Sequence, residues 1–244
     1  MLSFPFAPIA RVELRMTGPI SARMPASRPE AWQAQGGFVD DIDHAAATIG
    51  IYRRHAAAFD RKRVRVLFEQ AWLDRFLALM PGSAAVLDLG CGMAEPIAAY
   101  LIGAGCRVTG VDSSPAMLAL CRARFPGQRW IEADMRRLAL GERFDGILAW
   151  DSFFFLPPDA QRAMMPVFAA HAAPGAALLF TSGPKAGEAH GSFEGEALYH
   201  ASLDPAEYRS LLGAQGFAAI AHVAEDPDCD RHSVWLARME NRQP

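Results

Sequence analysis

Residues 86–96 read VLDLGCGMAEP, a run of buried-strand residues, then two glycines, then a stretch able to start a helix. Val86, Leu87 and Leu89 suit a strand covered on both faces, as parallel sheets are. Gly90 and Gly92 let the backbone turn sharply and let a ligand approach with no Cβ in the way. A nicotinamide-binding loop wants a third glycine three residues on, and that position holds Glu95. A carboxylate where a pyrophosphate should rest repels it, so the dinucleotide reading loses ground.

Outward from this loop, strands and helices alternate. Apolar runs predict strands near 85–89, 107–111, 128–132, 144–150, 176–181, 217–224 and 232–238, with helices near 95–103, 115–124, 159–172 and 205–215. Strand–helix repetition implies a parallel sheet covered on both faces. The last two strands are separated only by PDCDR (227–231), so they should pair as an antiparallel hairpin at one sheet edge. Upstream, residues 43 to 80 read as helical, with Val64, Phe68, Trp72, Phe76 and Leu79 at three- to four-residue spacing, ended by Pro81-Gly82. Residues 1–42 are rich in Pro, Ala, Ser, Gly and Arg without periodicity and are expected to form a loosely ordered extension, with 43–244 as the folded domain. Met16 and Met24 are candidates for the true start.

Composition excludes several classes. The chain has 244 residues, 51% hydrophobic, enough for one α/β domain with a real core. A net charge of −3, from 24 basic and 27 acidic residues, gives no bulk field for a polyanion, so no nucleic-acid partner is expected. No apolar run approaches the ~20 residues of a membrane span, so no membrane partner is expected either. The cysteines at 91, 106, 121 and 229 show no C-x-x-C pair or zinc spacing, which suits a reduced, cytoplasmic protein.

Two more acids sit at strand ends. Asp112 ends RVTGVD, 20 residues past Gly92, where a carboxylate can accept hydrogen bonds from vicinal ribose hydroxyls. Asp134-Met135 ends RWIEADM and suits an adenine, through its exocyclic amine and its ring face. Taken together, the chain resembles the class I S-adenosylmethionine (SAM)-dependent methyltransferases. VLDLGCG is similar to that family's first motif, GVDSS to its second, IEADM to its acidic third site and FDGILAWD to its fourth strand. IYRRHAAAFD resembles the helix that caps the cofactor in many small-molecule members, and the likeness covers roughly residues 45 to 238. It implies a doubly wound, seven-stranded, mostly parallel sheet with a terminal antiparallel hairpin, N-terminal capping helices, and SAM across the first strands. It places Asp112 on the ribose, Asp134 on the adenine amine, and Gly90 and Gly92 along the methionine portion. Asp88, Cys91, Ser113, Met117, Met135, Trp150 and Tyr52 complete the expected cofactor set.

The fourth strand delivers LAWDSFFFLPPD, which brings Trp150, Asp151, Ser152 and three phenylalanines to the carboxyl edge. Methyl transfer is an in-line displacement accelerated mainly by alignment. Asp151 is a candidate base or orienting group, and Ser152, Phe153 and Phe154 are candidate pocket residues. The segment 187–208, GEAHGSFEGEALYHASLDPAEY, is too long for an ordinary connection and reads as a loop able to act as a lid. It carries His190, the candidate base His200, and Tyr199 as a pocket residue. DPDCDRH (226–232) lacks trustworthy metal spacing and reads as an acidic hairpin turn, so no metal is expected.

Departures from related patterns narrow the acceptor. No Asn/Asp-Pro-Pro-aromatic follows the fourth strand, no Pro-Cys pair exists for cytosine attack, and no paired acid and asparagine stands where a magnesium site needs it. What remains is a small-molecule acceptor methylated on O or N, a carboxylate of the aconitate type included, by a monomer or homodimer. The competing readings are a SAM-binding sensor or partner subunit without activity, an NAD-dependent oxidoreductase, and a protein methyltransferase.

Overall fold

The structure, a computed structural model, describes residues 43–241. The expected extension 1–42 lies outside the described residues. Two helices come first, α1 (His44–Lys62) and α2 (Gln70–Leu77). Then follow β1 (Ala85–Leu89), α3 (Ile97–Gly103), β2 (Arg107–Asp112), α4 (Pro115–Arg124), β3 (Arg129–Glu132), β4 (Phe144–Ala149), α5 (Pro158–His171) and β5 (Ala172–Ser182). The chain continues through β6 (Gly187–Phe193), β7 (Glu196–Ser202), α6 (Pro205–Ala214), β8 (Phe217–Asp226) and β9 (His232–Met239).

Seven strands form one sheet in the order β3-β2-β1-β4-β5-β9-β8. The first five pair in parallel, while β9 runs antiparallel to both β5 and β8. The doubly wound sheet and the terminal hairpin are therefore as the sequence predicts. Alternation along the strands divides the core. Leu87, Leu89, Ile147, Leu178, Phe180 and Trp235 face Met164 and Phe168 of α5 and Tyr208 and Leu212 of α6. Val86, Val108, Leu148, Leu179 and Leu236 face Trp72 and Phe76 of α2, Leu101 of α3 and Leu118 of α4. Each fully buried aliphatic side chain contributes about 1.5–3 kcal/mol, so the strand ends that carry polar groups are rigidly held.

Two expectations are corrected. Residues 43–80 are not one helical run: Arg63 turns extended at φ −60°, ψ 120°, and the chain re-enters a helix only at Gln70. Phe68 lies in that break and stacks on His232, 5.3 Å between ring centroids. The segment 187–202 is not a loop but a second, two-stranded antiparallel sheet, β6–β7, turning at Glu194-Gly195, both with positive φ (51° and 83°). That is the backbone of a tight hairpin turn. The hairpin is fastened to α1: Glu196 meets Arg54 and His55, the latter at 2.7 Å, and Glu194 meets Lys62. Among the described residues no helix is long and apolar enough to cross a membrane.

Candidate active site

The strand order reverses between β1 and β4, and ligands of open α/β sheets bind in the crevice outside the strand ends at such a point. A cavity of about 400 Å³ lies there, within the range of small-molecule sites. Its walls come from the ends of β1, β2 and β4, from α1, and from β7 and β9.

The glycine loop is held from two sides. Gly90 N–H donates to the Val111 carbonyl (2.7 Å), and Gly92 N–H donates to Asp112 Oδ2 (2.9 Å). Asp112 Oδ1 accepts the Ser114 N–H at 2.8 Å. Both oxygens of Asp112 thus fix backbone and keep further lone pairs for a ligand. At Gly90, φ is +74° and an added Cβ would stand 2.3 Å from the Ser152 Cβ. Only glycine fits there. Ser152 itself donates to the Leu89 carbonyl (2.6 Å), which braces the end of β4 against β1.

Burial, together with the charge of Asp112, raises the Asp88 carboxyl to about 7. Burial also raises Asp112 to about 6, against the backbone N–H bonds that favour its ionised form. Asp134 differs: burial opposes ionisation there, but the Arg136 guanidinium (2.7 Å) and backbone N–H bring it below its ordinary value. Arg136 also reaches Asp43 at the start of α1 (3.0 Å), tying the capping helix to β3's end.

Of the residues singled out in the sequence, Tyr52, Asp88, Gly90, Cys91, Gly92, Asp112, Ser113, Met117, Asp134, Met135, Trp150, Asp151, Ser152, Phe154 and His200 all line this cavity. Phe153 does not: it is fully buried in the core, against Phe168, Phe180 and Tyr208. Consecutive residues of its 3-10 turn point about 120° apart, so three phenylalanines in a row face three ways. Tyr199 does not line it either, stacking instead on His44 at 4.0 Å. His190 sits beside that pair, edge-on to Tyr199.

The cavity also recruits residues with no motif to announce them. Arg63 lines it, its side chain 8% exposed and its Nη2 3.7 Å from Glu69. Burial raises the Glu69 carboxyl to about 7. His232, inside the supposed acidic turn, is sandwiched between Phe68 and Trp150 and places Nε2 3.1 Å from Asp151 Oδ1. Its Nδ1 lies 2.8 Å from the Cys229 carbonyl and donates to it. Asp151 has φ +49°, its N–H donates to Thr181 Oγ1 (2.9 Å), and both carboxylate oxygens are sealed from solvent. Glu95, placed by the sequence against a pyrophosphate, is met by Arg65 (3.0 Å) and Arg124 (3.6 Å). Its charge is shared in a surface network and repels less than a lone carboxylate.

Comparisons with known proteins agree with this geometry. Residues 86–175 match the family described as "Methyltransferase domain". A trans-aconitate 2-methyltransferase of Escherichia coli O1:K1 / APEC is 38% identical over 73 residues, 30% of this chain and 29% of that protein. Its counterpart in Shigella flexneri serotype 5b (strain 8401) is 40% identical over the same length. The match thus spans under a third of these relatives' length. Among solved structures, the DhpI complex with S-adenosylhomocysteine (SAH) superposes with a TM-score of 0.62 at 19% identity, covering 82% of this chain and 98% of that one. The glycopeptide N-methyltransferase MtfA complexed with SAH gives 0.59 at 19% identity, covering 72% and 90%. CalS10, an amino pentose methyltransferase from Micromonospora echinaspora, gives 0.55 at 22%, covering 84% and 99%. Residues 86–175 are thus similar to a methyltransferase domain, and the described chain shares the Rossmann-like fold of these solved structures.

Proposed function

We propose that the protein transfers a methyl group from SAM to an oxygen or nitrogen of a small-molecule acceptor. The observation that carries this reading is the convergence, on one switch-point cavity, of the Gly90–Gly92 turn and acids from three neighbouring strands, with Asp112 bonded to the Gly92 N–H. The donor set fits the cofactor. Asp112 and Ser113 offer acceptors to ribose hydroxyls, Met117 and Met135 offer apolar faces to an adenine, and Asp134 lies beside them. Asp88 provides a carboxyl for an ammonium, and Arg63, with a buried guanidinium on the cavity wall, provides donors for the amino-acid carboxylate.

When bound, SAM supplies an electrophilic methyl on a sulfonium. The chain's own part is to orient and to exclude water. Tyr52, Phe154, Phe155 and Trp150 make a wall that keeps the acceptor end dry and favours a cation near the ring faces. The pairs between α1 and β6–β7 close that end from above. The reading keeps the protein cytoplasmic, monomeric or homodimeric, and without a nucleic-acid partner. All four cysteines are free thiols, as a reducing compartment requires.

The test is transfer of label from methyl-tritiated SAM into host-cell extract, fractionated into small molecules, protein and nucleic acid, with Asp112→Ala as the blank. Asp112-dependent label in small molecules is the expected result. Label confined to protein or nucleic acid overturns the acceptor class, and SAH binding without transfer to any fraction favours the sensor reading.

A further inference from the structure

His200 lines the cavity beside Phe154 and Phe155 and has its tautomer fixed by its own strand. It lies on β7, 5% exposed, and lines the cavity between the rings of Phe154 (5.3 Å, stacked) and Phe155 (5.0 Å, tilted). Its Nδ1 is 3.0 Å from the Leu198 carbonyl. A carbonyl only accepts, so Nδ1 carries the proton and Nε2 holds a lone pair. Among the described residues Nε2 has no protein hydrogen-bond partner, and His200 lines the cavity. Asp151, the acid that the sequence suggests as base, has both oxygens sealed from solvent and one of them against His232. Both side chains line the cavity; the Asp151 oxygens are buried, one of them beside His232, whereas His200 Nε2 carries no protein hydrogen bond.

We propose that His200 Nε2 takes the proton of the acceptor, and hence that the acceptor is a protic nucleophile, a hydroxyl or an amine, rather than a carboxylate. This rests on the methyltransferase reading. The acceptor's lone pair forms the bond to the methyl carbon as the carbon–sulfur bond breaks with its electrons going to sulfur, and the acceptor's O–H or N–H proton passes to Nε2. The sulfonium charge vanishes in the step that creates the imidazolium, so the cavity's net charge is unchanged. Asp151, whose charge favours protonated His200, stabilises the product form without touching the acceptor. A carboxylate acceptor arrives without a proton and has no use for this arrangement.

Burial holds the His200 imidazole down to about 4, against the Leu198 carbonyl bond and the charge of Asp151; His190 from β6 lowers it further. The ring is therefore neutral throughout the neutral range, with Nε2 unprotonated.

Two measurements on the full chain test the proposal. The first is ring nitrogen NMR of 15N-histidine-labelled protein with SAH bound, with His200→Asn assigning the resonance. A protonated Nδ1 and an unprotonated Nε2 at pH 7 are expected; the opposite tautomer or an imidazolium overturns the proposal whatever the activity. The second uses methyl-tritiated SAM with the small-molecule fraction of host extract. Asparagine keeps a donor for the Leu198 carbonyl and deletes Nε2, so His200→Asn should keep SAH affinity and lose about 100-fold or more in transfer. Undiminished transfer by the variant, or label released as methanol by mild base (a carboxylate ester), overturns the proposal and leaves the methyltransferase reading intact. Absence of SAH binding by the wild-type protein overturns both.

Discussion

The Asp112 carboxylate holds the Gly92 N–H at 2.9 Å through one oxygen and the Ser114 N–H at 2.8 Å through the other. One side chain at the end of β2 therefore sets the shape of the glycine loop after β1 as well as the start of α4. A charged group with two backbone donors cannot be replaced by its amide without one oxygen becoming an N–H pointed at a donor. Asp112→Asn is expected to fold yet to weaken SAH binding by about 100-fold, from one lost charge-assisted bond and one new repulsion at ~1.5–3 kcal/mol. Isothermal titration with SAH checks this, and an unchanged Kd contradicts the assigned role.

Gly90 offers a test of close packing at the same place. Alanine there puts a Cβ 2.3 Å from the Ser152 Cβ in a residue with φ +74°. Left-handed strain of ~1–2 kcal/mol adds to an overpacking cost of ~1–3 kcal/mol. Gly90→Ala should lower Tm by roughly 5–15 °C and abolish SAH binding. Adding Ser152→Gly removes the clash but not the strain, so part of the lost Tm should return. No recovery in the double variant shows that the clash is not the cause.

Cofactor affinity should depend on pH with a definite sign. Asp88 and Asp112 stand at about 7 and about 6 because burial disfavours their charge. A cationic ligand favours the ionised forms, so binding releases protons in this window. SAM affinity should rise as pH increases from about 5.5 to 8, and SAH, without the sulfonium charge, should respond less. Titrations in buffers of different ionisation enthalpy measure the protons released. Proton uptake on SAM binding near pH 6.5 contradicts the prediction.

Gln161 is a stability test away from the cavity. It is fully buried on α5, its Nε2 donates to the Leu156 and Ala201 carbonyls (2.7 and 2.9 Å), and its Oε1 accepts from the Tyr208 hydroxyl. It joins α5, α6 and β7. Gln161→Leu leaves buried partners unsatisfied at ~1–3 kcal/mol each, and denaturant unfolding should show a loss of about 3 kcal/mol or more. A loss below 1 kcal/mol contradicts the assignment.

Legibility followed the range of the interactions. β1, β2, β4 and β5 are short apolar runs buried on both faces, and the turn residues between them mark their ends locally. β6–β7 was hidden because Glu194-Gly195 is a weaker turn signal than Asn-Gly and because β6 alternates about an exposed His190. Its reason to pair lies in α1, over 130 residues away, through Arg54, His55 and Lys62. The break at residues 63–69 was equally hidden. Val64 and Phe68 keep helical spacing with Trp72, but Phe68 is claimed by His232 from the far end of the chain.

The sequence by itself determined the doubly wound sheet, the glycine turn after β1 and the acids that follow it, because strand periodicity and loop chemistry are local properties of a few adjacent residues. Only the tertiary structure decided where the groups after the fourth strand and on β7 end up. Phe153 went to the core while Phe154 and Phe155 stayed at the cavity, since a 3-10 turn spreads neighbours around its axis. Asp151 was covered by His232, which β9 carries in from 81 positions later. His200 has its tautomer fixed because its own strand supplies the Leu198 carbonyl to Nδ1. Each of these outcomes depends on which surfaces the fold brings together, and no spacing in the chain encodes that.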